Sequence, residues 1–330
     1  MEHRIRIRRR PAAVVVGVLL AALPGTAHAH DDQPDGFGPP VNLETMTGTS
    51  GDLNTASLEG CPSESPDGLH LYFASNRPGG LGGVDIWMAS RPHPDAPFGA
   101  PVNLGAPVNS AGDDFCPSAT AGDWFLFVST RTPSCGAADV YVTRPTWVED
   151  TEAWAEPMHL GCHVNSPGVE MSPSLVGDPA DGAAQLWFSS DRPGGSFPDG
   201  ASPDHDLWVS RQTPFGFGPP EPADSLNTEA NDQRPNLAPD GLEIVFDSNR
   251  PGGQGGTDVY IATRDCVDGP WTAPTNLAEV NSPANEVRPS LSWDGDTLYV
   301  GSNRPDSEPG ADGQPSSDLY TATRPSTNRR

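Results

Sequence analysis

The feature that most constrains this chain is a string that returns five times with unchanged internal spacing. Asn54-Thr55 followed by Glu59-x-x-Pro62-Ser63 recurs at Asn109-Ser110 and Asp114-x-x-Pro117-Ser118, then at Asn165-Ser166 and Glu170-x-x-Pro173-Ser174. It recurs twice more, at Asn227-Thr228 and Asp232-x-x-Pro235-Asn236, and at Asn281-Ser282 and Glu286-x-x-Pro289-Ser290. The prolines stand 55, 56, 62 and 54 residues apart, the length of one propeller blade. A unit that short cannot bury its apolar face alone, so the units must stack.

Within each unit a turn such as Pro66-Asp67-Gly68 or Pro239-Asp240-Gly241 precedes an apolar run, for example Leu71-Tyr72-Phe73 or Ile244-Val245-Phe246. That run ends in Ser-x-Arg, with Arg77, Arg131, Arg192, Arg250 and Arg304 as the arginines. A third strand then opens on Asp85, Asp139, Asp206, Asp258 or Asp318 and closes on Arg91, Arg144, Arg211, Arg264 or Arg324. A fourth segment carries proline, which suits an outer edge strand. The last unit lacks this fourth segment, while Phe37-Gly38-Pro39-Pro40-Val41-Asn42-Leu43 nearly duplicates Phe98 to Leu104. The expected fold is therefore all-β: a five-bladed propeller whose N-terminal strand closes the C-terminal blade and leaves no long open edge.

Composition fits. With 36 Gly and 38 Pro the chain cannot form a helical bundle, and eight Trp, eleven Phe and five Tyr supply core mass. The net charge is −25 and every Lys+Arg cation is arginine, which excludes binding to nucleic acid or to anionic membrane surfaces. Residues 1–29 read as a signal peptide: Arg4, Arg6 and Arg8 to Arg10, then apolar Ala12 to Leu23, then Ala27-His28-Ala29. The expected plan is a short mature segment 30–36, a propeller 37–324 and a tail 325–330. The product is an exported monomer, periplasmic or extracellular, with no membrane span after cleavage.

The Pro-Asp-Gly turns and the run Ser75-Asn76-Arg77-Pro78-Gly79-Gly80 leading to Asp85-Ile86-Trp87 resemble the WD40-like repeat of TolB-type periplasmic β-propellers, from Phe37 to Arg324. That resemblance implies the propeller fold, an exported setting and action through protein contact.

The repeated charges read as scaffold. Each of Arg77, Arg131, Arg192, Arg250 and Arg304 is expected to pair with a repeated acid, either the third-strand Asp (Asp85, Asp139, Asp206, Asp258, Asp318) or the linker acid (Glu59, Asp114, Glu170, Asp232, Glu286). Function is sought where the repeat breaks. The Arg-to-Asp loop lengthens in the third and fifth units, bringing in Phe197, Asp199, Asp204 and His205, and Asp306, Glu308 and Asp312, as candidate ligand-binding residues. Such acidic loops can hold calcium, but no calcium-site spacing is present, so no metal or cofactor is expected. Cys135 and Cys162 are candidates for one disulfide and Cys61 and Cys116 for a second across adjacent blades, leaving Cys266 odd.

No nucleophile-elbow or zinc-protease motif occurs. The favoured function is a non-enzymatic propeller that binds a protein or cell-envelope ligand, suited to a cationic partner, through the face bearing the long loops and linkers. The alternative is a glycan-active hydrolase with single-copy carboxylates such as Asp113, Asp204 and Glu308 at the channel mouth.

Overall fold

The computed structural model describes residues 36–122, 124–148, 151–177, 183–196 and 204–326; the expected signal peptide lies outside them. Five sheets form the blades. Blade 1 comprises Glu59–Glu64, His70–Ser75, Asp85–Ser90 and Val102–Asn103, each strand antiparallel to the next. Blade 2 runs from Asp114–Ala119 through Phe125–Ser129 and Asp139–Thr143 to Met158–His159, with an added hairpin of Pro145–Val148 and Thr151–Trp154. Blade 3 (Glu170–Val176, Gln185–Ser190, Asp206–Thr213, Glu221–Pro222) and blade 4 (Asp232–Leu237, Glu243–Ser248, Asp258–Thr263, Thr275–Asn276) repeat the order. Blade 5 has Glu286–Leu291, Thr297–Ser302 and Asp318–Thr323, and its fourth strand is Val41–Asn42, paired Val41 to Thr321 and Asn42 to Tyr320.

Each inner strand contains a bulge where the repeat places proline. In blade 1 the register skips between Gly60 and Ser63, so Cys61 and Pro62 interrupt the ladder. The residue before the proline is left-handed in every blade: Cys61, Cys116, Ser172, Arg234 and Arg288 have φ between +47° and +57°. A non-glycine residue held there costs about 1–3 kcal/mol, which the surrounding ring must hold in place.

The repeated asparagine explains how blades join. Asn109, at the linker into blade 2, accepts from Ile86 N (2.9 Å) and donates to Ile86 O (2.9 Å) on the third strand of blade 1. Asn165 clamps Val140, Asn227 clamps Leu207 and Asn281 clamps Val259 in the same way. Asn54 closes the circle on Leu319, accepting from its N–H at 2.7 Å and donating to its carbonyl at 3.2 Å. Between blades lie apolar layers such as Leu71, Phe73 and Trp87 against Tyr299 and Leu319.

The N-terminal strand is anchored by Phe37, 2% exposed, whose ring lies 4.4 Å from the Arg324 guanidinium carbon. Phe37→Ala is expected to destabilise the protein by about 3–5 kcal/mol in urea unfolding. A loss below about 1 kcal/mol would show that the closing strand contributes little.

Candidate functional site

On the linker face, every linker acid is fully buried and paired within its own blade. Arg77 meets Glu59 at 3.0 Å, Arg131 meets Asp114 at 2.6 Å and Arg192 meets Glu170 at 2.9 Å. Arg250 meets Asp232 at 2.5 Å and Arg304 meets Glu286 at 3.0 Å. Each guanidinium also stacks on aromatic rings, as Arg77 does on Phe73 and Trp87.

The third-strand aspartates do something else: they cap the preceding loop. Asp85 accepts from Leu81 N (2.5 Å), Gly82 N (3.0 Å) and Asn103 Nδ2 (2.9 Å). Asp258 and Asp318 repeat this with Asn276 and Asn42, and Asp139 does so with His159. In blade 3 Pro222 stands at the asparagine position, opposite Trp208, and cannot donate. Among the described residues Asp206 accepts only from the Ser196 N–H, its Oδ1, like that of Asp139, is buried without a partner, and burial, with Asp232 and Asp224 nearby, pushes its carboxyl up to about 6.

The long-loop candidates fall in two separate loops, one in blade 3 and one in blade 5. Phe197 and Asp199 lie outside the described residues. Asp204 is half-buried, and His205 is buried with Nδ1 3.0 Å from Gln233 Nε2. Asp306 accepts from Tyr320 Oη (3.1 Å) and Asp312 from Gln314 N (3.0 Å), while the Glu308 backbone N–H caps Asp318. Asp113 accepts from Val84 N at 2.9 Å. Asp113, Asp306 and Asp312 thus each accept a hydrogen bond from their own or an adjoining loop or strand. Cys61 is bonded to Cys116 and Cys135 to Cys162, and Cys266 is free and exposed. Among the described residues Cys135, Asp139 and His159 bring metal-capable atoms within 4.8 Å of one another, with Cys135 already held in its disulfide.

The site that sequence reasoning missed lies beside the first-to-second-strand turns, between blades 5 and 1. A cleft of about 500 Å³ is lined there by Glu64, Asp67, Arg91, Phe98, Trp293 and Tyr299, among others. Glu64 ends the inner strand of blade 1, where the other blades carry Ala119, Leu175, Leu237 and Leu291. It is 6% exposed, and its Oε1 accepts from Tyr299 Oη at 2.9 Å and Arg91 Nη2 at 2.5 Å. Burial raises its pKa and Asp294 adds to the rise, against the pull of Tyr299 and Arg91. Asp67 goes the other way: burial opposes it, but hydrogen bonds from Ser65 Oγ (2.6 Å) and Leu69 N (3.0 Å) hold it low. Past Asp67 a second recess, about 730 Å³, is lined by His70, Tyr72, Trp124, Phe125 and Trp154 as well as Asp67 itself. A glutamate at an otherwise apolar position, and a tryptophan at position 293 where the turns of blades 1 and 4 have Pro66 and Pro239, were the available signals.

No family model matches the chain, and no curated relative does. Among solved structures, a thermostable family-43 glycoside hydrolase shares 11% identity at a TM-score of 0.53, over 84% of this chain and 92% of its own. The catalytic domain of a GH62 α-L-arabinofuranosidase from Coprinopsis cinerea shares 15% identity at 0.51, over 88% and 98%. TolB from Acinetobacter baumannii shares 15% at 0.43, over 80% of this chain and 53% of its own, too distant a likeness to argue from. Identities this low show the fold alone. They nonetheless overturn the order of the sequence expectation, which placed a non-enzymatic protein- or envelope-binding propeller first. The two glycoside hydrolases just named superpose at TM-scores above 0.5, whereas the TolB likeness falls below it.

Raised carboxyls dominate: Glu44, Glu59, Glu64, Glu170, Asp247 and Asp318 join Asp206, with Asp67 opposed. A carboxyl raised on folding stabilises fully below its unfolded value and loses that contribution as pH climbs through the folded value, between 3.8 and about 6 for Asp206. The melting midpoint is expected to be higher at pH 5.5 than at pH 7.5. Pro222→Asn, by restoring the missing donor, is expected to flatten that slope; a midpoint that rises toward pH 7.5 would contradict this assignment.

Proposed function

We propose that the chain is a glycan-active, exported propeller enzyme whose site is the cleft between blades 5 and 1. The observation that carries this reading is the pairing, in one aromatic-walled cleft, of a carboxyl biased toward its protonated form with one biased toward its ionised form. Acid and base assignments in glycoside hydrolysis rest on that separation. Glu64 is assigned as the proton donor to the leaving glycosidic oxygen and Asp67 as the carboxylate acting at the anomeric carbon or its attacking water. Trp293 offers an aromatic face to a sugar ring, and the second recess, with Tyr72, Trp124 and Trp154, extends the groove. The leader-like residues 1–29 and the TolB-type repeat support the exported setting. The fold shared with an arabinofuranosidase makes arabinose-bearing polysaccharides the first class to try.

Purified protein is expected to release reducing sugar from at least one member of a panel of arabinan, arabinoxylan and other plant and microbial polysaccharides. Glu64→Gln and Asp67→Asn are each expected to lower kcat by about 100-fold or more while the folded state, read by thermal melting, persists. Absence of turnover across the panel, or full activity in both variants, would overturn the reading.

A further inference from the structure

Two arginines of the propeller fall outside the ten repeated positions. Arg234 and Arg288 precede the bulge prolines of blades 4 and 5, where blades 1 to 3 carry Cys61, Cys116 and Ser172. All five side chains line the central channel. Among the described residues one carboxylate is hydrogen-bonded to them: Asp247, on the second strand of blade 4, where the other blades have Ala74, Val128, Ser189 and Gly301.

That carboxylate is fully engaged and does not reach the Arg288 guanidinium. Asp247 Oδ2 accepts from Arg234 Nη1 at 2.6 Å, and Oδ1 accepts from the Arg288 backbone N–H at 2.9 Å. Arg234 Nε is buried without a partner. Among the described residues no carboxylate lies within 4.0 Å of the Arg288 guanidinium, although such contacts hold nine other arginines. Two guanidiniums against one carboxylate leave one positive charge uncompensated in a channel of a protein whose net charge is −25.

The surroundings are shaped for that side chain. Glycine at position 60 admits it, since a Cβ there would stand 3.0 Å from Arg288 Cδ and 3.2 Å from Nη1. Arg288 also lines a recess of about 200 Å³ with Leu58, Val84, Phe115 and Asp113, the last already accepting from Val84 N. Burial, then the neighbouring charge of Arg234, pushes the Arg288 guanidinium down to about 9. A bound anion relieves both effects, and apolar walls strengthen its attraction.

We infer that Arg288, backed by Arg234, forms an anion-binding site at the linker-face end of the channel that takes a carboxylate, either a free organic acid or a uronic acid residue of a glycan. Guanidinium presents the planar fork that matches such a group. The site is separate from the Glu64 cleft and does not depend on the activity proposed there.

The test uses thermal melting of the full-length protein in sodium acetate, sodium glucuronate, sodium phosphate or sodium chloride at matched ionic strength. Acetate and glucuronate are expected to raise the midpoint above chloride in a saturable way. Binding of glucuronate at least tenfold tighter than acetate identifies the uronic acid source, and equal binding identifies free carboxylates. Arg288→Met is expected to weaken either response at least tenfold, and Arg288→Lys to retain part of it. Identical midpoints in acetate, glucuronate and chloride, a response to phosphate alone, or an unchanged carboxylate response in Arg288→Met would each overturn the assignment.

Discussion

The ring depends on one side chain repeated five times. An asparagine in each linker bonds to both the N–H and the carbonyl of a residue on the previous blade's third strand, as a neighbouring strand would. Such a paired hydrogen bond is satisfied only at one register and distance, so it sets the spacing between blades as well as stabilising it. In three blades a fourth-strand asparagine, and in blade 2 His159, ties that clamp to the loop-capping aspartate. Blade 3 breaks the chain at Pro222, so Asp206 lacks that tie, while burial raises its carboxyl.

A scaffold neutralised this completely leaves its departures easy to see. The linker acids and their arginines cancel blade by blade, each buried carboxylate held by the arginine of its own blade. The groups left over are a glutamate at an apolar position beside the turns, and two arginines that share one aspartate on the axis. Both occur where blades differ from one another, and they sit in different parts of the ring.

The five blades and the borrowed strand were legible in the sequence because spacing alone carries them: the Asn-to-Pro string counts blades, and Phe37 to Leu43 duplicates an outer strand. Which acid each Arg-loop arginine chooses was not legible, since Glu59 and Asp85 are both close in sequence to Arg77 and only backbone geometry gives Asp85 the loop amides. The cleft escaped for a related reason. Glu64 and Trp293 lie 229 residues apart, joined by a 3.0 Å hydrogen bond from the indole N–H to the Glu64 carbonyl, and they become neighbours only once the ring is closed. Long acidic loops drew attention because they were insertions, whereas the informative events were single substitutions inside regular strands and turns.

The claim on which the functional account rests is that Glu64 and Asp67 share a cleft with their proton affinities pushed apart. Carbon-13 NMR titration of the two side-chain carboxyls in the folded protein measures this directly, with Glu64→Gln and Asp67→Asn supplying the assignments. Glu64 is expected to titrate above the ordinary glutamate value and Asp67 below the ordinary aspartate value. Two carboxyls titrating together near their ordinary values would contradict the assignment of acid and base.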